Sequence, residues 1–311
     1  MHKSEKISGW LISANLKPSI RARLFGLVKM GIDLDDYKKM RKKMEAFDRM
    51  KIPAGITVKE SLIKNAHVQH IIPKAGVRED KVVLCLHGGG FVLGGRAYSR
   101  MSGIAIAKST QCTTVAVDYR LAPEHPFPAA LDDALDTYLE LIKQGIRPED
   151  IVLYGVSAGG GICLSMCHKL KELGFGLPSA IVALSPPTDF SGSGESRKTM
   201  LGKDPLFSKN GLGNVAKLLV GDHDPNDPYL SPAFGDFSGF PPIRIYVGER
   251  ELLLSDSLMV GERAYAQGVD VEVQVWKGMF HAFPIMGRLL PESRRAMNEI
   301  SRYIRSRLSA E

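Results

Sequence analysis

At 311 residues, the chain is long enough for one large α/β domain with a substantial core, or for two modest domains. Its 44% hydrophobic and 24% charged residues are ordinary for a globular protein, and no apolar run approaches the ~20 residues of a membrane span. The apolar patch at Trp10–Ala14 is too short and interrupted for a signal peptide, so we expect a cytoplasmic protein.

The net charge of +7 is confined to the N-terminal segment. Residues 1–60 carry 14 Lys and Arg against 7 Asp and Glu, whereas the rest of the chain carries 27 of each. The basic peak at Lys38–Lys43 could contact a nucleic acid or an anionic membrane. Because Met40, Met44 and Phe47 recur beside it at helical spacing, we interpret the peak as the solvated face of an amphipathic helix. No RNA-binding motif accompanies it, and we expect no nucleic-acid partner.

In chain order, residues 1–52 are predicted to be helical and Pro53–Gly55 to be a linker. Strands then alternate with helices, which predicts a mostly parallel, doubly wound α/β sheet with helices on both faces. The last strand alternates in polarity and is predicted to be exposed or at an edge. The predicted strands are Val82–Leu86, Thr114–Tyr119, Ile151–Val156, Ala180–Ser185, Ile243–Val247 and Val271–Trp276. The predicted helices are Tyr98–Ser109, Pro128–Lys143, Gly161–Leu173, Ser255–Gln267 and Glu292–Arg307.

Residues 188–239 break this rhythm. They are rich in glycine and proline and only weakly helical near 209–219, so we expect them to insert beside the site.

The four cysteines lie mostly in core-like settings, and Cys163 and Cys167 share one face of a helix. We expect core thiols, with neither a disulfide framework nor a metal site.

The stretch Tyr154–Gly160, which reads YGVSAGG, follows one strand and opens a helix. A serine with glycine two residues before and two after it, at a strand-to-helix turn, is the signature of a nucleophile elbow. Ser157 is therefore the candidate nucleophile. The alternative is a glycine-rich turn before a helix.

His87-Gly88-Gly89-Gly90 follows the first clear strand, about 70 residues before that serine. Consecutive glycines leave backbone N–H groups unobstructed, as an oxyanion loop requires. A phosphate-binding loop is the alternative, but no Gly-Lys-Ser/Thr ending follows. The order of the two motifs matches the esterase arrangement.

A serine nucleophile needs a base, and of the eight histidines only His281 lies in a loop after the last strand. The carboxylate that orients it is expected after the preceding strand, where Glu249, Glu251 and Asp256 compete. Glu251 borders an apolar run, which favours the burial that this role requires. Asp256 is better explained as part of the first helical turn after a Ser255 N-cap.

Together these residues resemble the hormone-sensitive-lipase family of α/β-hydrolases, in its bacterial carboxylesterase branch. The resemblance covers about residues 80–285 and includes Asp118–Glu124, Tyr229–Pro232 and His281–Phe283 in addition to the motifs above. The sequence departs from the family pattern at Val156, where many relatives have aspartate or threonine, and at Glu251, where many have aspartate followed by proline.

The resemblance implies an α/β-hydrolase fold with a helical cap and a triad of Ser157, Glu251 and His281. It places the oxyanion hole at the N–H groups of Gly89, Gly90 and Ala158, with Gly88 shaping the loop. It also implies a monomer or homodimer that needs no metal or organic cofactor.

We therefore predict that residues 1–52 form an N-terminal helical cap segment and 53–311 an α/β-hydrolase catalytic domain, with 188–239 contributing to the cap. The predicted function is a serine carboxylesterase that hydrolyses short- to medium-chain acyl esters through an acyl-enzyme. Two alternatives stay open: a lactone or amide hydrolase with the same triad, and a non-catalytic ligand receptor on the same fold. The presence of His281 argues against a receptor, because the receptors related to this family keep the serine but lack the triad histidine.

Overall fold

The computed structural model describes residues 5–6, 8–14, 18–26, 32, 34–74, 80–207, 212 and 214–309. Its strands form one ten-stranded sheet in the order β1-β2-β10-β9-β8-β7-β5-β6-β4-β3. The strands are β1 (Glu5–Lys6), β2 (Leu11–Ala14), β3 (Ile56–Ile63), β4 (Ala66–Pro73), β5 (Val82–Leu86), β6 (Thr113–Asp118), β7 (Ile151–Val156), β8 (Ala180–Leu184), β9 (Ile243–Gly248) and β10 (Val271–Trp276). All neighbours from β2 to β6 in this order are parallel, and β4 is antiparallel to both β6 and β3.

Helices cover both faces of the sheet. The described helices are α1 (Ile20–Phe25), α2 (Tyr37–Met44), α3 (Arg96–Thr110), α4 (Ala129–Lys143), α5 (Ala158–Glu172), α6 (Ser196–Thr199), α7 (Val215–Val220), α8 (Leu254–Ala266) and α9 (Pro291–Ser309). The core divides accordingly. Leu84 and Leu153 pack with α4, α5 and α8 on one face, whereas Cys85 and Val152 pack with α3 and α9 on the other. Strands buried on both faces are continuously apolar, which explains why the sequence predicts them well.

The predicted doubly wound α/β fold is confirmed, with β5, β7 and β10 at the predicted bounds. The prediction of a helical N-terminal segment is wrong for residues 11–14, which form β2 parallel to β10. The assignment of β10 as an edge strand is wrong for the same reason, because β10 lies between β9 and β2. The intermediate burial along β10 therefore reflects partial cover of its face rather than a free edge.

Between Pro53–Gly55 and β5 the sequence pattern missed the antiparallel hairpin β3–β4, which carries the sheet beyond β6. Pro53–Gly55 is the turn that begins this hairpin, because the Ile56 N–H donates to the Pro53 carbonyl and the Lys74 N–H to that of Gly55. Among the described residues, every helix is too short or too polar to cross a bilayer.

The N-terminal segment and residues 188–239 meet above the carboxyl ends of the strands. Ile32 and Phe207 form a parallel β-bridge, and the Ile32 N–H donates to the Leu206 carbonyl at 2.8 Å. Leu34 is buried in the same core as Phe207 and α7. The weakly helical stretch predicted near 209–219 is observed as α7, although 209–211 and 213 lie outside the described residues.

Three cysteines are buried and the fourth, Cys112, is partly exposed. None forms a disulfide, as expected from their apolar surroundings. Burial raises the pKa of Cys85 to about 12, so this thiol stays protonated and packs as a small apolar group.

Candidate active site

Ser157 lies in the tight turn between β7 and α5. Its φ of 50° and ψ of −119° are outside the regions that ordinary residues adopt. A Cβ on Gly159 would lie 2.1 Å from the Leu86 carbonyl oxygen, and one on Gly155 would lie 2.3 Å from the Gly159 carbonyl oxygen. Both obstacles are backbone atoms and cannot rotate away, so the Gly-x-Ser-x-Gly pattern follows from the close packing of α5 against the end of β5.

His281 contacts Ser157 directly, with its Nε2 2.9 Å from the serine Oγ. Only 9% of Ser157 and 3% of His281 are exposed, so the pair is largely shielded from water. His281 lies in the loop after β10, which returns it to the carboxyl edge of the sheet beside the end of β7. The distance lets the imidazole accept the hydroxyl proton, which is the first requirement for a nucleophilic serine.

Of the three carboxylates predicted to compete, only Glu251 reaches the histidine. Its Oε1 lies 3.5 Å from His281 Nδ1, and its side chain is fully buried. Its Oε2 accepts hydrogen bonds from the Ser185 hydroxyl and the Gly248 N–H, both at 2.8 Å. Within the described part of the chain, Oε1 and Nδ1 have no hydrogen-bond partner, so each faces the other at slightly more than hydrogen-bond length.

Asp256 and Glu249 have other partners. Asp256 is buried, accepts the Thr188 N–H at 2.8 Å and pairs with Arg197 at 2.6 Å. Burial raises its pKa, and Arg197 opposes that rise. The predicted Ser255 N-cap is wrong, because the Ser255 hydroxyl accepts the Ser196 N–H instead. Both residues therefore anchor the segment after β8 to α8.

Glu249 accepts the Gly278 N–H at 2.9 Å with its Oε2. This bond joins the loop after β9 to the loop that carries His281, at an exposed position. Glu249 therefore supports the loops from outside rather than contacting the imidazole.

The predicted oxyanion loop follows β5 and abuts the start of α5. A Cβ on Gly159 would lie 2.7 Å from the His87 carbonyl oxygen, so the two backbone segments are in direct contact. The Gly89 carbonyl accepts the Leu93 N–H at 2.8 Å. The N–H groups of Gly89, Gly90 and Ala158 donate no hydrogen bond to another described residue, which leaves them available to a bound oxyanion.

A buried aromatic pair supports this loop from behind. The His87 ring stacks on Tyr119 with centroids 4.1 Å apart, and the Tyr119 hydroxyl donates to the His87 carbonyl at 2.7 Å. Burial lowers the pKa of His87 to about 4, and its ring bond to the Gly88 carbonyl only partly opposes this. His87 is therefore neutral at pH 7 and has a structural role.

Arg41 holds the loop from the front. Its Nε donates to the Val92 carbonyl at 2.6 Å, its Nη2 to the Ala122 carbonyl at 2.7 Å, and its Nη1 pairs with Glu124 at 2.9 Å. The run Lys38–Lys43 is thus not a uniform solvated face. Its lysines are exposed, but its arginine connects α2 to the backbone just after the three glycines.

Two apolar side chains cover the site. The Phe207 ring lies against His281 with centroids 4.8 Å apart. Leu34 lies over Gly90, with its Cδ1 3.0 Å from the place where a Cβ on that glycine would stand. Because a β-bridge joins Ile32 to Phe207, the two covering residues are held by one backbone contact.

A further buried carboxyl, Asp204, was missed from the sequence. It accepts the Leu206 N–H at 2.9 Å and the Leu252 N–H at 3.4 Å, so it joins the Phe207 segment to the loop of Glu251. Burial raises its pKa to about 6; the nearby His281 lowers it and Glu251 raises it further. No sequence pattern indicates this residue, because its neighbours in space are distant in the chain.

The comparisons with known proteins agree with this geometry. The family described as alpha/beta hydrolase fold matches residues 83–285. An esterase of Acinetobacter venetianus is 34% identical over 82% of this chain and 84% of its own length. An acetyl-hydrolase of Streptomyces hygroscopicus is 33% identical over 84% of this chain and 86% of its own length. A solved hormone-sensitive lipase from a metagenome library superposes with a TM-score of 0.85 at 32% identity, covering 94% of this chain and all of that one. The chain therefore belongs to the α/β-hydrolase family, in its hormone-sensitive-lipase-like branch.

Among the described residues, no group of three or more His, Cys, Asp or Glu side chains is arranged to hold a metal ion. His67 contacts Arg96 at 3.1 Å, and His70 contacts the Ser61 hydroxyl at the same distance. Both histidines lie on β4, where His67 is exposed and His70 is half-buried.

Proposed function

We propose that this protein is a serine carboxylesterase that acts through Ser157, His281 and Glu251. Its membership of the family, with relatives named esterase, carboxylesterase and acetyl-hydrolase, makes it a carboxylic ester hydrolase. The observation that carries the residue assignment is the 2.9 Å contact between His281 Nε2 and Ser157 Oγ at the carboxyl end of the sheet.

In the proposed mechanism, Ser157 attacks the ester carbonyl while His281 takes the hydroxyl proton. The N–H groups of Gly89, Gly90 and Ala158 stabilise the oxyanion of the tetrahedral intermediate. His281 then protonates the leaving alcohol, and the acyl group stays on the serine as an ester. Water attacks this acyl-enzyme with His281 as its base, and the acid is released.

Glu251 stabilises the imidazolium that forms twice in this cycle. Its full burial strengthens that interaction, since no water screens the 3.5 Å separation. Glutamate has one more methylene than the aspartate common in the family. It can fill the same role because its backbone follows β9 at a position from which the longer side chain reaches Nδ1.

Residues 5–6 and 11–14 belong to the sheet, so we infer that the proposed cap consists of residues 34–52 and 188–239 and that it restricts the substrate to small esters. Leu34 covers Gly90 and Phe207 covers His281. Together they leave little room beside Ser157, which is 9% exposed. A crystal of the similar protein EstE5, 30% identical with a TM-score of 0.84, was soaked with p-nitrophenyl butyrate. A covered site of this kind favours a short acyl chain over a long one.

The test is a series of p-nitrophenyl esters of increasing acyl length, assayed with the wild-type protein and Ser157→Ala. We expect hydrolysis that is fastest with short acyl chains and a loss of at least about 1,000-fold in kcat for the variant, since the nucleophile is absent. A serine-directed organophosphate should label the wild type at Ser157 and leave the variant unlabelled.

Ser165→Ala is the matched control, because it removes another buried hydroxyl, on the helix that follows Ser157 and about two turns along it. Near-full activity of Ser157→Ala would refute the mechanism. Hydrolysis of lactones or amides in preference to all esters would shift the substrate class while keeping the triad. No turnover and no labelling would favour a ligand receptor.

A further inference from the structure

The Ser185 hydroxyl contacts both Glu251 and the backbone beside His281, the base of the proposed mechanism. Ser185 Oγ donates to Glu251 Oε2 at 2.8 Å and accepts the Ala282 N–H at 3.0 Å. A serine hydroxyl has one donor and two lone pairs, so both bonds can form at once. Ser185 therefore contacts the carboxylate and also the backbone directly after His281.

The backbone holds Ser185 itself in place. It follows β8, its N–H donates to the Tyr246 carbonyl on β9 at 3.0 Å, and its φ of 48° turns the chain sharply. Ser185 is fully buried. Its hydroxyl therefore has a fixed position between the loops that follow β9 and β10.

Glu251 needs such a fixed point more than an aspartate would. Its side chain has one more rotatable bond, so its carboxylate could swing away from the imidazole. The Ser185 hydroxyl and the Gly248 N–H both bind Oε2, and their charge-assisted bonds leave only Oε1 directed at His281 Nδ1.

We propose that Ser185 is a positioning residue for the reaction: its hydroxyl, held by the Ala282 N–H, directs Glu251 Oε1 at His281. This inference rests on the proposed function. It adds a fourth side chain to the triad, at the end of β8, in a loop that carries no member of the triad.

The test is a double-mutant cycle with Ser185→Ala, Glu251→Gln and the double variant, assayed on p-nitrophenyl butyrate. We expect Ser185→Ala to lower kcat by about 10- to 100-fold, the cost of losing a hydrogen bond to a charged group. KM should change less than about twofold, because Ser185 does not line the substrate side. In the Glu251→Gln background the same change should cost less than about threefold, since no carboxylate is left to aim.

Ser257→Ala is the matched control. Ser257 is also fully buried, on α8, and its hydroxyl has no partner among the described residues, so kcat should stay within about twofold of the wild type. If Ser185→Ala does not fold, Ser185→Gly removes the same hydroxyl at a φ that glycine adopts freely.

An equal loss of kcat in both backgrounds would overturn the inference, because a merely structural serine does not depend on the Glu251 charge. So would wild-type kcat in Ser185→Ala. Either result, with an active wild type and inactive Ser157→Ala, leaves the proposed function intact. Activity in Ser157→Ala, or an inactive wild type, would instead refute the proposed function itself.

Discussion

Replacing Asp204 by asparagine tests the electrostatics of the buried site. Burial raises the pKa of this carboxyl from its ordinary 3.8 to about 6 in the folded protein. A folded-state pKa above the unfolded one means that the folded state binds the proton more tightly. The stability from this group is therefore fully present below pH 4 and is lost as the pH rises through 6.

The magnitude follows from the size of the shift. A difference of about two units corresponds to about 3 kcal/mol in the free energy of unfolding, at ~1.4 kcal/mol per unit. An asparagine side chain cannot ionise, so Asp204→Asn lacks this loss. The stability of the variant relative to the wild type should therefore rise by about 2 to 3 kcal/mol between pH 4 and pH 8, since part of the loss has already occurred at pH 4.

Urea unfolding of both proteins at several pH values between 4 and 8 measures this difference. The amide also changes the bonds to the Leu206 and Leu252 N–H groups, but that cost is the same at every pH and cancels in the comparison. Asp222→Asn, at an exposed position, is the matched control for replacing a carboxylate by an amide. A difference between Asp204→Asn and the wild type that stays constant from pH 4 to pH 8 would refute the reasoning.

Three further predictions follow from the surroundings of the site. Leu34→Ala should raise the kcat/KM ratio of p-nitrophenyl octanoate to butyrate at least about threefold, because removing a buried leucine opens space over Gly90; an unchanged ratio would contradict the covering role of Leu34. Arg41→Ala should lower the free energy of unfolding by about 2 to 3 kcal/mol, because it leaves the Val92 carbonyl without its charged donor, and Arg41→Lys should recover part of that loss in urea unfolding. Gly159→Ala should cost more than about 3 kcal/mol, since its Cβ would lie 2.1 Å from the Leu86 carbonyl oxygen, and a stable, active Gly159→Ala would show that the turn can relax.

The strands predicted best are those buried on both faces. Runs such as Ile151–Val156 need no partner to be recognised, because helix cover on both sides makes every position apolar. The hairpin β3–β4 was missed because Ile56–Ile63 mixes apolar, hydroxyl and charged residues on a half-exposed surface. β2 was missed because it has four residues, and only the edge of β10, some 260 positions away, makes it a strand.

The candidate site divides in the same way. Ser157 and His281 could be predicted from chain order and turn chemistry, because Ser157 directly follows one predictable strand and His281 lies in the loop after another. Ser185 and Asp204 could not, since their roles depend on contacts across 66 and 48 positions with the loop that follows β9. Local sequence patterns indicate the candidate nucleophile and base, whereas the residues that hold them in place are brought together by the fold.

The pairing of β2 with β10 has a consequence for self-association. A free, straight β10 would offer its backbone to a second copy, as exposed edge strands do. Residues 11–14 occupy that edge, and the outermost strand beyond them, β1, has only two residues. At the opposite end of the sheet, β3 presents the exposed charges of Lys59 and Glu60. Neither border of the described sheet therefore favours a continuous sheet between two molecules.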